Sequence, residues 1–584
     1  MAAGRQPPRK PKGAGRTQSD AAPATPGPTQ PGPLQTGPTK VGGDATPKTT
    51  PGPAPRQQPS GRQAAGQKAA QQKAVRQQAA GKQPKARATA AGHATPGPTA
   101  RARPAPEAVA LVWFRQDLRL ADHRPLQAAL AGAGRVLAVY VHDPQAAGRW
   151  APGGAARWWL HHSVASLAEG LGKAGGRLVL RSGDAARIIP ELARAAGASS
   201  VHCGVVHEPW ALAQQRRVLT ALEGAGVELH AHRVATLFDV AAVRTRTGTI
   251  YGVYTPFART LRDRPSPEPP LPAPERVPTR EGGFGSERLA DWRLLPTRPD
   301  WAGGLRETWT PGEPAARARL RRFLDEHLPD YAAERDRPGS QDGTSMLSPH
   351  LHWGEISPAQ VWHEAAAHGG AAGGLERFRS ELLWHEFAAY LLHHTPTLPD
   401  EPMRPAYRRL RWRRDPDGLR AWQRGRTGIP IVDAGMRQLW HIGWMHNRVR
   451  MITASLLIKH LLLPWQEGEA WFWDTLVDAD LATNSMSWQW VAGTGTDSQP
   501  FFRIFNPVTQ SRRFDPDGSY IRRWVPELAA LSDRLLHAPW EAPQAELDRA
   551  GIALGRDYPR PIVSLAEGRD RALDAFRREV RGAA

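Results

Sequence analysis

The sequence predicts an α/β domain with a doubly wound parallel sheet, followed by a large all-α domain and preceded by a disordered basic tail. Three observations carry this. Residues 1–107 are Pro/Ala/Gln/Lys/Arg-rich with almost no large apolar side chains, too little to offset the entropy of ordering. From residue 108 to about 240, short β-branched runs alternate with Ala/Leu-rich stretches of helical spacing. Beyond residue 310 strand signals vanish and apolar residues recur at helical intervals.

The tail makes the chain extreme. The first 106 residues hold 17 Lys and Arg against Asp20 and Asp44, out of a net charge of +21 for the 584-residue chain. The other 478 residues carry 60 basic and 54 acidic groups and are only mildly basic. A flexible polycation attracts polyanions by releasing counterions. DNA is the natural partner, although RNA or anionic lipid satisfies the same charge, and a solubilising extension needs no partner at all. MAAGRQPPRK lacks an apolar h-region, so no secretory signal is expected. No run of about twenty apolar residues occurs, so no membrane role is expected. Cys203 is the single cysteine, which rules out an intramolecular disulfide or a cysteine metal cluster. A soluble, cytoplasmic enzyme fits these facts, and a monomer is expected if it docks DNA, because such a site must stay exposed.

The α/β domain is expected at 108–240. AVALVWFRQDLRL, RVLAVYVHDP, RLVLRSG and SSVHCGVVHEP read as strands, and WWLHHSVASLAEGL as a helix between them. No GxGxxG or GxxxxGK[ST] sits at a strand end, so neither a dinucleotide fingerprint nor a P-loop is present. Residues 241–310, rich in Pro, Arg and Gly, read as a connector. The all-α domain is expected at 311–584, with PAARARLRRFLDEHL, ERFRSELLWHEFAAYLLHH, MITASLLIKHLLL and EAWFWDTLVDADLA as amphipathic helices.

Several residues stand out for their chemistry. GTSMLSP offers backbone N–H groups and hydroxyls in a Gly-led turn suited to a pyrophosphate, although alone it is more often a helix cap. Glu381 and Trp384 are a helical turn apart, as are Asn447 and Met451, so each pair can face one cavity. The 22 tryptophans far exceed ordinary usage, and core packing accounts for most of them, Trp158, Trp159, Trp471 and Trp473 included. Any single acidic residue near these motifs reads more readily as a helix-end network, and Arg503 as a surface cation. The motifs gain weight from occurring together.

The blocks Gly425–Met451 (GRTGIPIVDAGMRQLWHIGWMHNRVRM) and Asp478–Glu527 (DADLATNSMSWQWVAGTGTDSQPFFRIFNPVTQSRRFDPDGSYIRRWVPE) resemble the cryptochrome/photolyase flavoprotein family from about Val109 to the C-terminus. Within it they look most like the bacterial class I photolyases that repair cyclobutane pyrimidine dimers. The resemblance implies FAD and light-driven repair of DNA containing pyrimidine dimers. It implies that Tyr331, Thr344, Ser345, Met346, Leu347 and Ser348 hold FAD. Arg450 and Asp478 match an ion pair beside the flavin ring, Asp480 a ribose or ring contact, and Asn484 the position facing flavin N5. An amide there cannot readily deliver a proton, and the plant photoreceptors have Asp. Trp488, Trp465 and Trp422 match a chain that carries electrons inward from the surface, a task suited to an oxidisable ring that tolerates burial. Glu381, Trp384, Asn447, Met451 and Trp490 match the dimer pocket, and Arg448 and Arg503 match phosphate-clamping arginines. Asn447 and Met451 argue against the (6-4) class, which has a His pair.

The match departs at His385, where the family usually has Arg, at Phe378 for Trp, and at Met486–Ser487 for a small pair. Trp210–Ala211 replaces the Asn–Glu pair of folate-binding relatives. A second, antenna chromophore is therefore expected to be 8-hydroxy-5-deazaflavin in preference to methenyltetrahydrofolate. Two competing functions remain. A cryptochrome-like blue-light photoreceptor signalling through a partner accounts for a long tail but not for the pocket residues or Asn484. A nucleic-acid-binding module driven by the tail leaves the C-terminal blocks unexplained.

Overall fold

The computed structural model describes residues 108–340, 342–369 and 372–581; the tail expected at 1–107 lies outside the described residues. The α/β part runs β1 (Val109–Phe114), α1 (Arg124–Gly132), β2 (Arg135–His142), α2 (Gly154–Lys173), β3 (Leu178–Ser182), α3 (Ala185–Ala196), β4 (Ala198–Gly204), α4 (Pro209–Glu223) and β5 (Glu228–His232). The strands form one parallel sheet in the order β3-β2-β1-β4-β5. The runs in β1 and β2 are buried almost throughout, as apolar central strands covered on both faces should be. Four strands match the sequence expectation, but β5 does not. Its ELHAH is half-exposed and polar, and it pairs from Ser200↔Glu228 to Gly204↔His232 as an edge. An edge strand needs no apolar run, which is why its sequence is silent. The build reverses at β1, leaving a crevice at the carboxyl ends of β1 and β4, where such sheets bind ligands.

The segment expected as a connector carries a helix, α5 (Tyr254–Arg262). Beyond it come α6 (Glu313–Glu326), α7 (Ala372–His394), α8 (Pro416–Gln423), α9 (Pro430–Ile442), α10 (Asn447–Ser455), α11 (Trp465–Thr475) and α12 (Leu481–Ala492). The stretch EAWFWDTLVDADLA, expected as one helix, is two. Leu476 is extended at ψ 136°, Val477 N donates to Gly443 O at 2.8 Å, and Asp480 Oδ1 caps α12 by accepting from Thr483 N at 2.7 Å. Aspartate favours a cap over a helix interior, and here it overrides the apolar spacing. The break sets Asp478 and Asp480 in a loop between two helices.

Polar anchors bind the sheet to the helices. Glu313 accepts from Leu120 N and Ala121 N, Asp122 accepts from Ser357 Oγ at 2.6 Å, and buried Arg119 donates to Gly354 O. Gly354, at φ +65°, is obligatory, because a Cβ there would lie 2.2 Å from Gln116 O. Glu386 on α7 accepts from Leu237 N and Phe238 N, both at 2.8 Å.

Candidate active site

The Gly-led turn lies between α6 and α7. A Cβ on Gly343 would sit 2.9 Å from Glu334 O, and Met346 holds φ +49°, a left-handed conformation unusual for its residue type. Thr344 and Ser345 are half-buried, while Leu347 and Tyr331 are buried. Tyr331 packs edge-on against Phe323 and Phe378, and burial pushes its phenol up to about 12. Ser348 Oγ donates to Asp478 Oδ2 at 2.6 Å, joining this turn to the break between α11 and α12.

At that break, Arg450 Nη2 on α10 holds both oxygens of Asp478, at 3.1 and 2.9 Å. Its Nε donates to Met445 O. Burial works to raise the Asp480 pKa, but His352, His385 and the Thr483 N–H outweigh it and hold the carboxyl well below the usual range. His385, the departure from the family's Arg, therefore still stands near a carboxylate. Asn484 is buried, and its amide donates to Glu469 O at 3.1 Å. One residue on, Ser485 Oγ lies 2.5 Å from Glu469 Oε1, and burial pushes Glu469 up to about 8.

A second set of residues converges on α7. Burial raises the Glu381 pKa, countered by Arg335, whose Nη2 is 3.0 Å away. Trp384 stacks on Tyr254 of α5. From α10, Arg448 pairs with Asp336 at 2.9 Å, approaches Met451 Sδ and lies over the Phe514 ring. Glu381–Arg335 and Asp336–Arg448 thus form adjacent ion pairs bridging α7 and α10. Arg448, matched in the sequence to a phosphate-clamping arginine, is paired with Asp336 here. Arg503 is exposed beside exposed Phe502, and Asn447 is exposed at the start of α10. No hydrogen bond or ion pair among the described residues joins Trp490 or Arg503 to the network.

Trp422, Trp465 and Trp488 are at most 2% exposed. Trp422 and Trp488 meet edge-on at 6.2 Å, with Phe472 packed on both, and Trp422 Nε1 donates to Thr453 O. None reaches solvent, so these three do not by themselves make a route from the surface; half-buried Trp412 packs against the same core. Arg335, Asp336, Tyr254 and Glu469 were missed by the sequence reading. AERD after Tyr331 was a usable signal for the first two.

The residues fit a bound flavin nucleotide. Arg335 Nε, Arg448 Nε and Thr483 Oγ1 are buried without hydrogen-bond partners, a state native proteins avoid unless something fills the space. A separate cavity lies at the carboxyl ends of the strands, walled by Trp113, Tyr140, Trp150, Trp210 and Trp473. Glu208 in its wall is pushed up to about 7 by burial, and its Oε2, like Trp210 Nε1, has no partner.

The family model described as the FAD binding domain of DNA photolyase matches residues 378–578, and the DNA photolyase model matches 110–275. A deoxyribodipyrimidine photo-lyase of Agrobacterium fabrum is 47% identical over 468 residues, 80% of this chain and 97% of that protein. Cryptochrome-1 of Arabidopsis thaliana is 35% identical, covering 80% of this chain and 70% of that one. The crystal structure of a bacterial class III photolyase from Agrobacterium tumefaciens superposes with a TM-score of 0.78 at 47% identity, over 80% of this chain and 97% of that one. These likenesses carry the family but not the expected class I assignment, since that solved relative is described as class III.

Proposed function

This chain belongs to the photolyase/cryptochrome family, and we propose that it repairs cyclobutane pyrimidine dimers in DNA under blue light, as a deoxyribodipyrimidine photo-lyase. The observation that carries this reading is the pairing of Glu381 and Trp384 on one face of α7, held by Arg335 and Tyr254 from other elements. Such an aromatic wall beside a half-buried carboxyl suits a site that receives a flipped-out lesion. Reduced FAD, if held by these residues, would supply the light-driven one-electron chemistry that splits the dimer with no net redox change.

The chain's own part is positioning. Tyr331 and the turn Thr344–Ser348 cradle the FAD phosphates with hydroxyls and backbone N–H groups. Arg450 and Asp478 would hold the flavin ring side, Asp480 the ribose side, and Asn484 would offer an amide that cannot readily deliver a proton. Glu381 hydrogen-bonds the pyrimidine edge, where charge develops, while Trp384, Trp490, Asn447 and Met451 wall the pocket. Arg503, exposed and unpaired among the described residues, and Arg448 once it exchanges Asp336, hold the neighbouring phosphates. Trp488, Trp465 and Trp422, buried and therefore dependent on a more exposed ring for electron entry, would form the inner part of the path that restores an oxidised flavin.

A second chromophore, 8-hydroxy-5-deazaflavin in preference to methenyltetrahydrofolate, occupies the aromatic cavity at the strand ends. Trp210–Ala211 and the apolar walls support this choice. The working units are an antenna domain (108–240), a connector (241–310) and a catalytic domain (311–584), acting as a cytoplasmic monomer with 1–107 as a basic tail on DNA. Among the described residues no helix is long and apolar enough to cross a membrane.

The test is repair of a defined thymine-dimer oligonucleotide by photoreduced protein in blue light and in darkness, with Glu381→Ala as control. Light-dependent return of thymines, crippled in the variant, is expected. Flavin that photoreduces while no thymine returns would instead favour the signalling role that cryptochrome relatives suggest.

A further inference from the structure

Beside the aromatic cavity lies an open cleft of about 460 Å³, lined by Trp292, Trp301, Arg157, Arg293 and Arg298 among others. The two spaces adjoin, and His142, Pro144 and Pro152 line both. His142, which lines both spaces, stacks at 5.2 Å on Trp292 of the cleft wall.

The charge in the cleft is of one sign. No Asp or Glu lines it, and among the described residues Arg157, Arg293 and Arg298 form no ion pair; Arg157 reaches only Pro152 O, at 3.5 Å. The nearby acids are committed elsewhere. Glu287 accepts from Ser182 N and Trp292 Nε1, Asp291 pairs with Arg288, Asp300 pairs with Arg306, and Asp474 accepts from Gly154 N. Three unpaired guanidinium groups on a concave surface next to an apolar ring pocket suit an extended anion attached to a planar ring.

We infer that this cleft binds the anionic tail, phosphate or oligoglutamate, of the chromophore whose ring occupies the inner cavity. The inference rests on the second-chromophore reading and adds to it that the ligand is the tailed form. The ring is held by burial against tryptophan, and the tail by Arg157, Arg293 and Arg298.

The test uses the FAD-loaded protein and two probes with one fluorophore: 8-hydroxy-5-deazaflavin riboside, and the same ring carrying a phosphorylated, glutamylated tail. Fluorescence titration at low salt is expected to give about tenfold tighter binding for the tailed probe. The advantage is expected to shrink in high salt and to vanish in Arg157→Gln/Arg293→Gln/Arg298→Gln, with riboside affinity unchanged. Methenyltetrahydrofolate with one or several glutamates, run in parallel, distinguishes the two sources of such a tail. Equal affinity for tailed and tailless probes overturns the proposal, as does an equal loss for both in the triple variant. If no ring binds while FAD is retained, the second-chromophore reading itself fails and this one with it. Retained flavin absorbance in the variant shows that it is folded.

Discussion

Tyr254 and Trp384 lie ring on ring, their centroids 3.6 Å apart and their planes 6° from parallel. Tyr254 OH donates to Ser380 O at 2.9 Å, one residue before Glu381, and Tyr254 N donates to Asp497 Oδ2 at 3.0 Å. The Tyr254 side chain thus fixes the plane of the proposed pocket wall and steadies the turn bearing Glu381, while its backbone N–H ties both to the loop leading to Arg503. An aromatic pair is worth about 0.5–1.5 kcal/mol beyond its buried area. Tyr254→Leu should therefore weaken binding of a dimer-containing oligonucleotide by about three- to tenfold. Flavin content and affinity for undamaged DNA should hold, and Tyr254→Phe, which keeps the stack, should stay near wild type. Parallel titrations with damaged and undamaged duplexes decide the matter; equal weakening toward both would refute it.

Arg450 and Asp478 join α10 to the break between α11 and α12, and Ser348 brings in the turn proposed to hold phosphate. Arg450→Ala leaves the Asp478 carboxylate with Ser348 alone. Stranding a fully buried charge costs about 3–5 kcal/mol; with the Arg450 side chain 23% exposed, the loss should fall below that range. Asp478→Asn leaves no stranded anion and should cost less. Denaturant unfolding of both variants checks the order, and the FAD retained after gel filtration checks the link to the cofactor.

Much of this was legible in the sequence, for reasons specific to each element. The runs VALVWF and RVLAVYVH announce central strands because both their faces are covered. ELHAH in β5 does not, because its partner is the free edge of β4 and its side chains half-face water. The break at Leu476–Asp480 was hidden because helical spacing continues through it while cap chemistry at Asp480 decides the backbone. Motif resemblance named Glu381 and Trp384, but not Arg335 and Tyr254, which hold them in place. Such supports are ordinary residues made important by a contact across more than forty positions of chain, and no local pattern reports that distance.

Burial also divides the tryptophans. An electron drawn from solvent must enter through an exposed ring, and Trp422, Trp465 and Trp488 are all buried. Trp488→Phe is expected to slow photoreduction of bound FAD by more than tenfold, because phenylalanine is far harder to oxidise. Trp412→Phe should slow it comparably if half-buried Trp412 is the entry point. Trp422→Phe, at a ring that already touches Trp488, should cost less than either. Photoreduction rates in the three variants with an external thiol decide among these routes; a normal rate in Trp412→Phe would exclude it as the entry.

Glu469 gives the site a pH dependence whose sign can be worked out. Burial, only partly offset by Ser485, raises its pKa to about 8 from an ordinary 4.5. The folded state therefore holds a proton that the unfolded chain releases. The stabilisation is fully present below about pH 4.5 and is lost as pH rises through 8, at no more than about 1.4 kcal/mol per pH unit. Glu469→Gln keeps a neutral partner for Ser485 and should flatten this part of the stability curve, measured by denaturant unfolding near pH 5 and near pH 8. The same proton bears on the proposed chemistry. Asn484 hydrogen-bonds the backbone of Glu469, so an ionised Glu469 would set a negative charge near the position proposed for the flavin. Repair by the wild type should then decline above about pH 8 while Glu469→Gln holds its rate; parallel decline in both would detach Glu469 from the reaction.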